Sequence, residues 1–146
     1  MSAAEATYLR EVGEGEIATC FPLMRQLRPH LASIEDLAQR WRRQGEQGYR
    51  MVAIWRAGHP VGLAGFRLTE SLIHGRFLYV DDLVVDADQR GAGFGATLMD
   101  WLGAEARRCG CAKLVLDTGL DNALAHRFYY RQGLLAMALR FNIPLE

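Results

Sequence analysis

Apolar residues in the first fifty positions follow a mostly helical spacing. Residues 8–12 predict a short opening strand, and residues 17–27 predict a helix that the Arg28–His30 segment ends. A second helix is expected to begin at Ser33, which has the chemistry of an N-cap and is followed three positions later by Asp36. One face of that helix is apolar and comprises Ile34, Leu37, Ala38 and Trp41.

The spacing changes in the middle of the chain, where three apolar stretches predict strands. They cover residues 49–55, 61–68 and 76–85, with a turn signal at 57–60 and a short connection at 71–75. Connections of this length are too short for parallel crossovers. The three strands therefore predict an antiparallel meander.

The last third alternates between helices and strands. Residues 93–109 predict a long helix, 113–117 a short buried strand, 122–132 a second helix and 134–143 a closing strand. The long helix is expected to bury the stripe Phe94, Leu98, Leu102, Ala106 and Cys109. The final strand–helix–strand run forms a right-handed βαβ unit if its strands are parallel neighbours. The chain is accordingly predicted to be a single α+β domain over residues 1–146.

Composition narrows the class of protein without indicating a function. The chain has 146 residues, of which 50% are hydrophobic and 23% charged, as is typical of a globular domain. Its formal net charge is zero, which gives no electrostatic reason to expect nucleic acid or an anionic membrane as a partner. No signal peptide or membrane-spanning stretch is visible, and Cys20, Cys109 and Cys111 form no disulfide framework. We therefore expect a cytoplasmic protein with buried thiols.

The most informative segment joins a strand to the long helix through a glycine-rich loop. Gly91, Gly93 and Gly95 occupy three of five positions there, directly after Arg90. The first N–H groups of a helix have no internal partner, and the helix dipole adds partial positive charge. Glycines let a bulky anion approach because no Cβ intervenes. The segment therefore predicts a phosphate cradle assisted by Arg90, with a glycine turn that only packs closely as the alternative.

A dinucleotide-binding turn would use similar residues. Gly91, Gly93 and Ala96 satisfy G-x-G-x-x-A, and Asp117 follows at the distance of a ribose-binding acid. However, five residues separate Val85 from Gly91, whereas that turn is tight, and too few residues follow Asp117 for the remaining parallel strands. The loop also lacks the G-K-[ST] ending of a P-loop. These departures count against both classes of nucleotide-binding loop.

Two motifs, in order, resemble those of the GNAT superfamily of N-acetyltransferases. Residues 90–95, R-G-A-G-F-G, match the signature Q/R-x-x-G-x-G/A, and residues 122–129, N-A-L-A-H-R-F-Y, resemble N-x-x-A-x-x-F-Y. The resemblance covers residues 49–134 well, and the N-terminal helices agree in type and place. It implies a GNAT-like fold: a mixed, mostly antiparallel central sheet with splayed strands and flanking helices. It also implies that acetyl-coenzyme A (acetyl-CoA) binds between the splayed strands.

The resemblance further implies which residues contact acetyl-CoA. The pyrophosphate should lie on the backbone amides of the glycine loop, and the pantetheine should pair with the strand edge at 83–85. Two residues of the second motif should approach from the other side. The full expected set is Leu83, Val84, Val85, Arg90, Gly91, Ala92, Gly93, Phe94, Gly95, Ala96, Asn122 and Tyr129. The histidines are scattered along the chain, so no metal is expected.

The implied chemistry needs a base for the amine and an acid for the departing thiolate. An alkyl amine has a pKa of about 10.4 and must lose a proton before it attacks a thioester. Asp81 and Asp82 precede the cofactor-binding strand edge. Adjacent strand residues face opposite ways, so only one should face the cleft, and the resemblance favours Asp81. Tyr129 aligns with the family's proposed general acid. A water relay, structural roles for these residues and a catalytic His126 are the alternatives.

The sequence thus predicts an N-acetyltransferase that moves the acetyl group of acetyl-CoA directly to a primary amine of a small molecule or protein. Two other classes stay open: a non-catalytic acyl-CoA sensor or interaction module on the same fold, and a small nucleotide-binding domain. The resemblance implies that the acceptor meets the N-terminal helices, whose charges of both signs indicate no preference. The expected partners are acetyl-CoA and the amine, with no nucleic acid and no membrane. A homodimer is compatible with the sequence without being indicated by it.

Overall fold

A computed structural model describes residues 6–146 of the chain. Its contacts divide the chain into two compact units, the first ending at Val115 and the second covering Leu116–Glu146. The helices and strands follow in chain order: β1 (Thr7–Glu11), α1 (Ile17–Leu27), α2 (Ile34–Gly45), β2 (Arg50–Arg56), β3 (His59–Ser71), β4 (Gly75–Val85), α3 (Phe94–Arg108), β5 (Lys113–Leu116) and α4 (Ala123–Arg131). No helix in this part of the chain is long and apolar enough to cross a membrane.

The five strands form one sheet in the order β1-β2-β3-β4-β5. β1, β2, β3 and β4 pair as antiparallel neighbours, as the short connections between β2, β3 and β4 predict. A backbone bond of 2.8 Å from the Ala112 N–H to the Arg76 carbonyl joins the approach to β5 to the start of β4. The α+β class predicted from the sequence is confirmed.

The centre of the sheet is covered on both faces, which explains why β2 reads as a continuous apolar run. Side chains alternate along a strand. Met51, Ala53 and Trp55 therefore share one face, and they lie in the same buried cluster as Cys20 and Leu23 of α1. The other face is covered by α3, which packs on β2, β3 and β4. The sheet thus separates α1 and α2 from α3.

The N-terminus of α2 forms as its sequence predicts, and its apolar face is only partly buried. The Asp36 N–H donates to Ser33 Oγ at 3.1 Å, which satisfies one of the orphan donors of the first turn. Leu37 is buried, whereas Ile34 keeps 42% of its surface exposed.

Of the three thiols, Cys20 is fully buried and Cys109 and Cys111 are half-buried.

The buried stripe of α3 contains a carboxylate that the apolar pattern did not predict. Leu98, Leu102 and Ala106 are buried as expected, but Glu105 is buried beside them with 7% of its surface exposed. Its carboxylate accepts from Arg108 at 2.7 Å and from Arg50 at 2.8 Å. These two guanidinium groups, Arg108 first, lower the pKa of Glu105 to about 2, against the opposing effect of burial. The buried charge is therefore fully paired.

The closing strand predicted at 134–143 is wrong, and with it the βαβ unit. Residues 134–146 form no helix or strand in the structure. Their apolar side chains do recur at every second position, but they are exposed: Leu135, Met137, Leu139, Phe141, Ile143 and Leu145. Alternation reports which way side chains face and not whether a neighbouring strand supplies hydrogen-bond partners. Residues 134–146 therefore show the alternation of a strand without forming one.

Candidate active site

β4 carries a bulge at the two acidic residues singled out in the sequence. Gly65 pairs with Asp82, but the next residue, Phe66, pairs with Val80, so Asp81 is an extra residue on its strand. The expectation that only one of Asp81 and Asp82 can face the cleft is wrong, because both line the same cavity. A bulge interrupts the alternation of side chains and re-aims them locally.

The cavity lies between β4 and the helices α1 and α2 and measures about 310 Å³. Its wall combines aromatic, aliphatic and charged groups of both signs. The lining residues are Met24, Arg28, His30, Leu31, Leu37, Arg40, Trp41, Gln44, Tyr49, Tyr79, Asp81 and Asp82. A concave site with a few convergent polar groups is the ordinary form of a small-molecule site.

The carboxylate of Asp82 is held on both oxygens. Arg28 Nε donates to Oδ1 at 2.9 Å, and the Tyr49 hydroxyl donates to Oδ2 at 2.6 Å. Arg28 also donates through Nη2 to the Asp81 carbonyl at 2.8 Å. Burial, together with the neighbouring Asp82 carboxylate, raises the pKa of Tyr49 well above its usual value, so the phenol stays a donor.

Gly65 makes this arrangement sterically possible. A Cβ at Gly65 would lie 1.9 Å from Tyr49 Oη and 2.7 Å from Asp82 Oδ2. No side chain fits at such distances without displacing the pair. The glycine therefore lets the phenol and the carboxylate meet across the face of β3.

Asp81 is paired with a different cation. Arg67 Nη2 lies 2.7 Å from Asp81 Oδ2, and Arg67 also donates to Gln44 Oε1 at 3.0 Å. Burial raises the pKa of Asp81 above its usual value, and the neighbouring Arg67 only partly opposes this. Asp81 is thus a more basic carboxylate than an exposed aspartate.

The glycine loop has the backbone geometry of an anion cradle. Gly91 and Gly93 have φ angles of 90° and 84°, which side-chain-bearing residues rarely adopt. The first backbone bond of α3 runs from the Thr97 N–H to the Gly93 carbonyl at 3.1 Å. The amides of Phe94, Gly95 and Ala96 therefore have no helical partner one turn earlier. A Cβ at Gly91 or Gly93 would meet open space, so these glycines are needed for conformation and access rather than for packing.

Two arginines flank this loop. Arg90 is exposed and has no hydrogen-bond partner among the described residues, so its charge is available to a ligand. Arg56, at the end of β2, donates from Nη1 to Gln89 Oε1 at 2.5 Å and stacks over the Phe94 ring at 5.3 Å. Arg56 thereby ties β2 to the loop on both sides of Arg90. Sequence reasoning missed it because nothing local marks a strand-end arginine as a contact of a loop some thirty residues away.

The strand edge predicted for the pantetheine lies beyond the bulge. Leu83 pairs with Ala64, Val84 with Leu63, and Val85 with Gly62, so one edge of β4 is occupied by β3 over this stretch. Val84 is buried, and its neighbours are half-buried. The role of these residues toward a cofactor stays a prediction.

The second unit contains the other motif, and its polar residues have local partners. Asn122 caps α4, since its Oδ1 accepts from the Ala125 N–H at 3.2 Å. The His126 ring nitrogen Nε2 lies 2.7 Å from the Gly119 carbonyl, which favours the structural role of this histidine. Tyr129 is half-buried in an edge contact with Phe128, and burial raises its pKa above 10. The catalytic and cofactor-binding roles of these side chains stay predictions.

Metal ligation has no candidate group here. In the stretch from residue 6 to the end of the chain, no cluster of three or more His, Cys, Asp or Glu side chains is placed to hold a metal ion.

Comparison with known proteins identifies the family. Residues 16–134 match the Acetyltransferase (GNAT) family. An uncharacterized N-acetyltransferase of Bacillus subtilis strain 168, YhdJ, is 33% identical over 115 residues, which cover 78% of this chain and 80% of the relative. An aminoalkylphosphonate N-acetyltransferase of Salmonella typhimurium is 33% identical over 91 residues, 62% of this chain and 59% of the relative.

A solved structure agrees with the sequence relatives. The crystal structure of a Trypanosoma brucei acetyltransferase superposes with a TM-score of 0.81 at 25% identity, covering 96% of this chain and all of that one. The chain is therefore an acyltransferase and belongs to the GNAT family of acetyltransferases.

Proposed function

We propose that the chain transfers an acetyl group from acetyl-CoA directly to the primary amine of a small molecule. The observation that carries the proposal is the course of β4. Its bulge turns Asp81 and Asp82 into one cavity, and the same strand then leads into the glycine loop and the free amides at the start of α3. Acceptor and acyl donor would thus meet on one strand.

The acyl donor fits the glycine loop. Amides at a helix N-terminus, together with the uncompensated charge of Arg90, suit a diphosphate. In this proposal the pantetheine arm follows Leu83–Val85, and Asn122 and Tyr129 contact the cofactor as the resemblance implies. When bound, acetyl-CoA supplies the activated thioester. The chain's own residues orient that thioester and manage the protons.

Asp81 is the proposed base for the acceptor amine. The amine has a pKa of about 10.4 in water and is protonated at neutral pH. A carboxylate whose pKa is raised by burial accepts a proton more readily than an exposed one. Asp82 has both oxygens engaged by Arg28 and Tyr49, so we assign it to holding the cavity wall in place.

Tyr129 is the proposed acid for the departing thiolate. A free thiol has a pKa of about 8.5, and a phenol with a pKa above 10 is fully protonated when the thiolate forms. The transfer is uphill in water and becomes feasible where the thiolate is poorly solvated. No cysteine is needed as a nucleophile, and Cys20 is unsuitable because burial raises its pKa to about 12.

The acceptor is proposed to be a small molecule because the cavity is small. A volume of about 310 Å³ lies at the lower end of the range of about 300–1,000 Å³ that is typical of small-molecule pockets. A short amine suits a pocket of this size. The Salmonella relative, which is named for an aminoalkylphosphonate, supports a small acceptor as well.

Coenzyme A release against a panel of primary amines tests the proposal. Turnover that is lost in Asp81→Asn and retained in Asp100→Asn, an exposed aspartate on α3, would support it. Protection of the fold by acetyl-CoA without turnover on any amine would instead indicate a sensor. Protection by NAD or ATP, and none by coenzyme A, would reject the acyltransferase site altogether.

A further inference from the structure

The cavity behind the β4 bulge has two chemically different sides. The sheet side presents Asp81 and Asp82, whereas the side formed by α1, α2 and their connection presents Arg28, Arg40 and His30. From this division we propose that the acceptor is a small zwitterion, a primary amine with an oxyanion at its other end. This inference rests on the proposed function, because it specifies what that site acetylates.

The acidic side is already compensated. Asp81 pairs with Arg67, and Asp82 with Arg28 and the Tyr49 hydroxyl. Asp81 can accept a hydrogen bond from an amine without needing a full positive charge to balance it. That is what an acceptor requires, since its nitrogen must become neutral before it reacts.

The basic side has hydrogen-bond donors on Arg40 that are available to a ligand. Arg40 uses only Nε, which donates to Asp36 Oδ1 at 2.8 Å, and within the described residues its two terminal amino groups have no partner. Asp36 is fixed in turn, because its Oδ2 accepts from the Ala32 N–H at 2.9 Å. Asp36 therefore fixes the Arg40 guanidinium through Nε, which leaves the two terminal amino groups available to a ligand. Two terminal N–H groups of one arginine suit the paired oxygens of a carboxylate, phosphonate or phosphate.

The same charges disfavour other amines. A polyamine would bring a second cation against Arg40, and like charges at close range repel. A plain alkylamine would leave the guanidinium without a partner. The cavity of about 310 Å³ is within the range of small-molecule sites and fits an amine and an oxyanion separated by a short chain.

Matched acceptors test the inference with the purified chain and acetyl-CoA. 3-Aminopropanoate and 2-aminoethylphosphonate carry the oxyanion, whereas 3-aminopropanamide and propylamine do not. We expect kcat/KM for at least one oxyanion-bearing amine to exceed that for 3-aminopropanamide and propylamine by tenfold or more. The two acids separate a carboxylate from a phosphonate site. Spermidine is added to the panel as a polyamine. Equal use of the first four, or a preference for spermidine, overturns the inference while the acetyltransferase function stands. No release of coenzyme A with any amine overturns both.

A variant pair assigns the oxyanion contact to Arg40. Arg40→Gln should raise KM for the preferred zwitterion roughly tenfold to a hundredfold, the equivalent of losing a charged hydrogen bond. KM for propylamine should stay unchanged. Arg43→Gln, an exposed arginine of the same helix outside the cavity, is the control. Arg40→Lys should recover part of the affinity. An equal rise in KM for both amines, or no rise, contradicts the assignment.

Discussion

Tyr49 and Asp82 are joined by a 2.6 Å hydrogen bond between residues 33 positions apart, directly over the α-carbon of Gly65. The bond anchors the residue that follows the β4 bulge, and Arg28 completes it from the helical side. The wall of the acceptor cavity therefore depends on a contact among β3, β4, the residue before β2 and the end of α1. This contact is most sensitive to substitution at Gly65, which has no side chain.

Gly65→Ala should break this contact. The added Cβ would overlap Tyr49 Oη, so the phenol or the carboxylate must move, and we expect a loss of about 1–3 kcal/mol in the free energy of unfolding. The KM for the acceptor should rise as well. Urea denaturation and initial rates measure the two effects. Gly45→Ala, where a Cβ meets nothing, is the control, and equal behaviour of the two variants would remove the steric role of Gly65.

Asp81→Asn should separate catalysis from stability. The folded pKa of Asp81 is raised, so its ionised form disfavours the fold once the pH exceeds its usual value of 3.8. Asparagine removes that cost and still offers Arg67 an acceptor. We expect the free energy of unfolding at pH 7 to change by less than about 1 kcal/mol, while kcat falls by two orders of magnitude or more.

Asp82→Asn is the informative contrast, since it replaces the carboxylate that Arg28 and Tyr49 share. It should destabilise the fold more than Asp81→Asn does and reduce kcat less. A larger fall in kcat for Asp82→Asn than for Asp81→Asn would move the base from Asp81 to Asp82.

Glu105→Gln should destabilise the fold in a pH-dependent way. The folded pKa of about 2 lies below the usual 4.5, so the carboxylate contributes stability above about pH 4.5 and loses it as the pH falls toward 2. We expect a loss of about 2 kcal/mol at pH 7 that narrows steadily in acid. Denaturation curves from pH 7 to 3 measure it, with the exposed Glu46→Gln as the control. A loss independent of pH would mean that packing, and not the ion pairs, accounts for the effect.

Tyr129→Phe should lower kcat at least tenfold with little effect on stability. Along the described chain its hydroxyl has no hydrogen-bond partner, so phenylalanine keeps the packing and loses only the proton. The pKa above 10 also predicts that ionisation of Tyr129 does not reduce wild-type kcat below about pH 10. Tyr130→Phe, a change at an exposed tyrosine, should behave as wild type. Unchanged turnover in Tyr129→Phe removes the proposed acid.

The hydrophobic pattern of the sequence predicted most of the helices and strands, because each has a characteristic spacing of apolar residues. The Ser33 cap, the meander and the glycine turn before α3 were all predictable from neighbouring residues. The strand at 134–143 was not, since alternation is silent about the backbone partner that a strand needs.

The acceptor cavity could not be predicted from the sequence either. A one-residue bulge at Asp81 leaves no mark in a stretch that is already polar, yet it decides that two adjacent carboxylates face one cavity. Arg28 and Arg67 reach those carboxylates from 54 and 14 residues away. Such pairings follow from the packing of α1 and β3 against β4, and no spacing rule encodes them. The glycine loop could be predicted because its backbone geometry is determined by a few consecutive residues, whereas side-chain pairing depends on distant ones.

Binding of acetyl-CoA to Gly93→Asp tests the central claim most directly. Gly58→Asp is a matched control, because Gly58 has a similar φ of 79° and equally open space but lies in the turn between β2 and β3. Titration calorimetry should show a Kd at least tenfold weaker for Gly93→Asp and unchanged for Gly58→Asp, a difference of about 1.4 kcal/mol or more. A folded Gly93→Asp protein that binds acetyl-CoA as tightly as wild type would contradict the account.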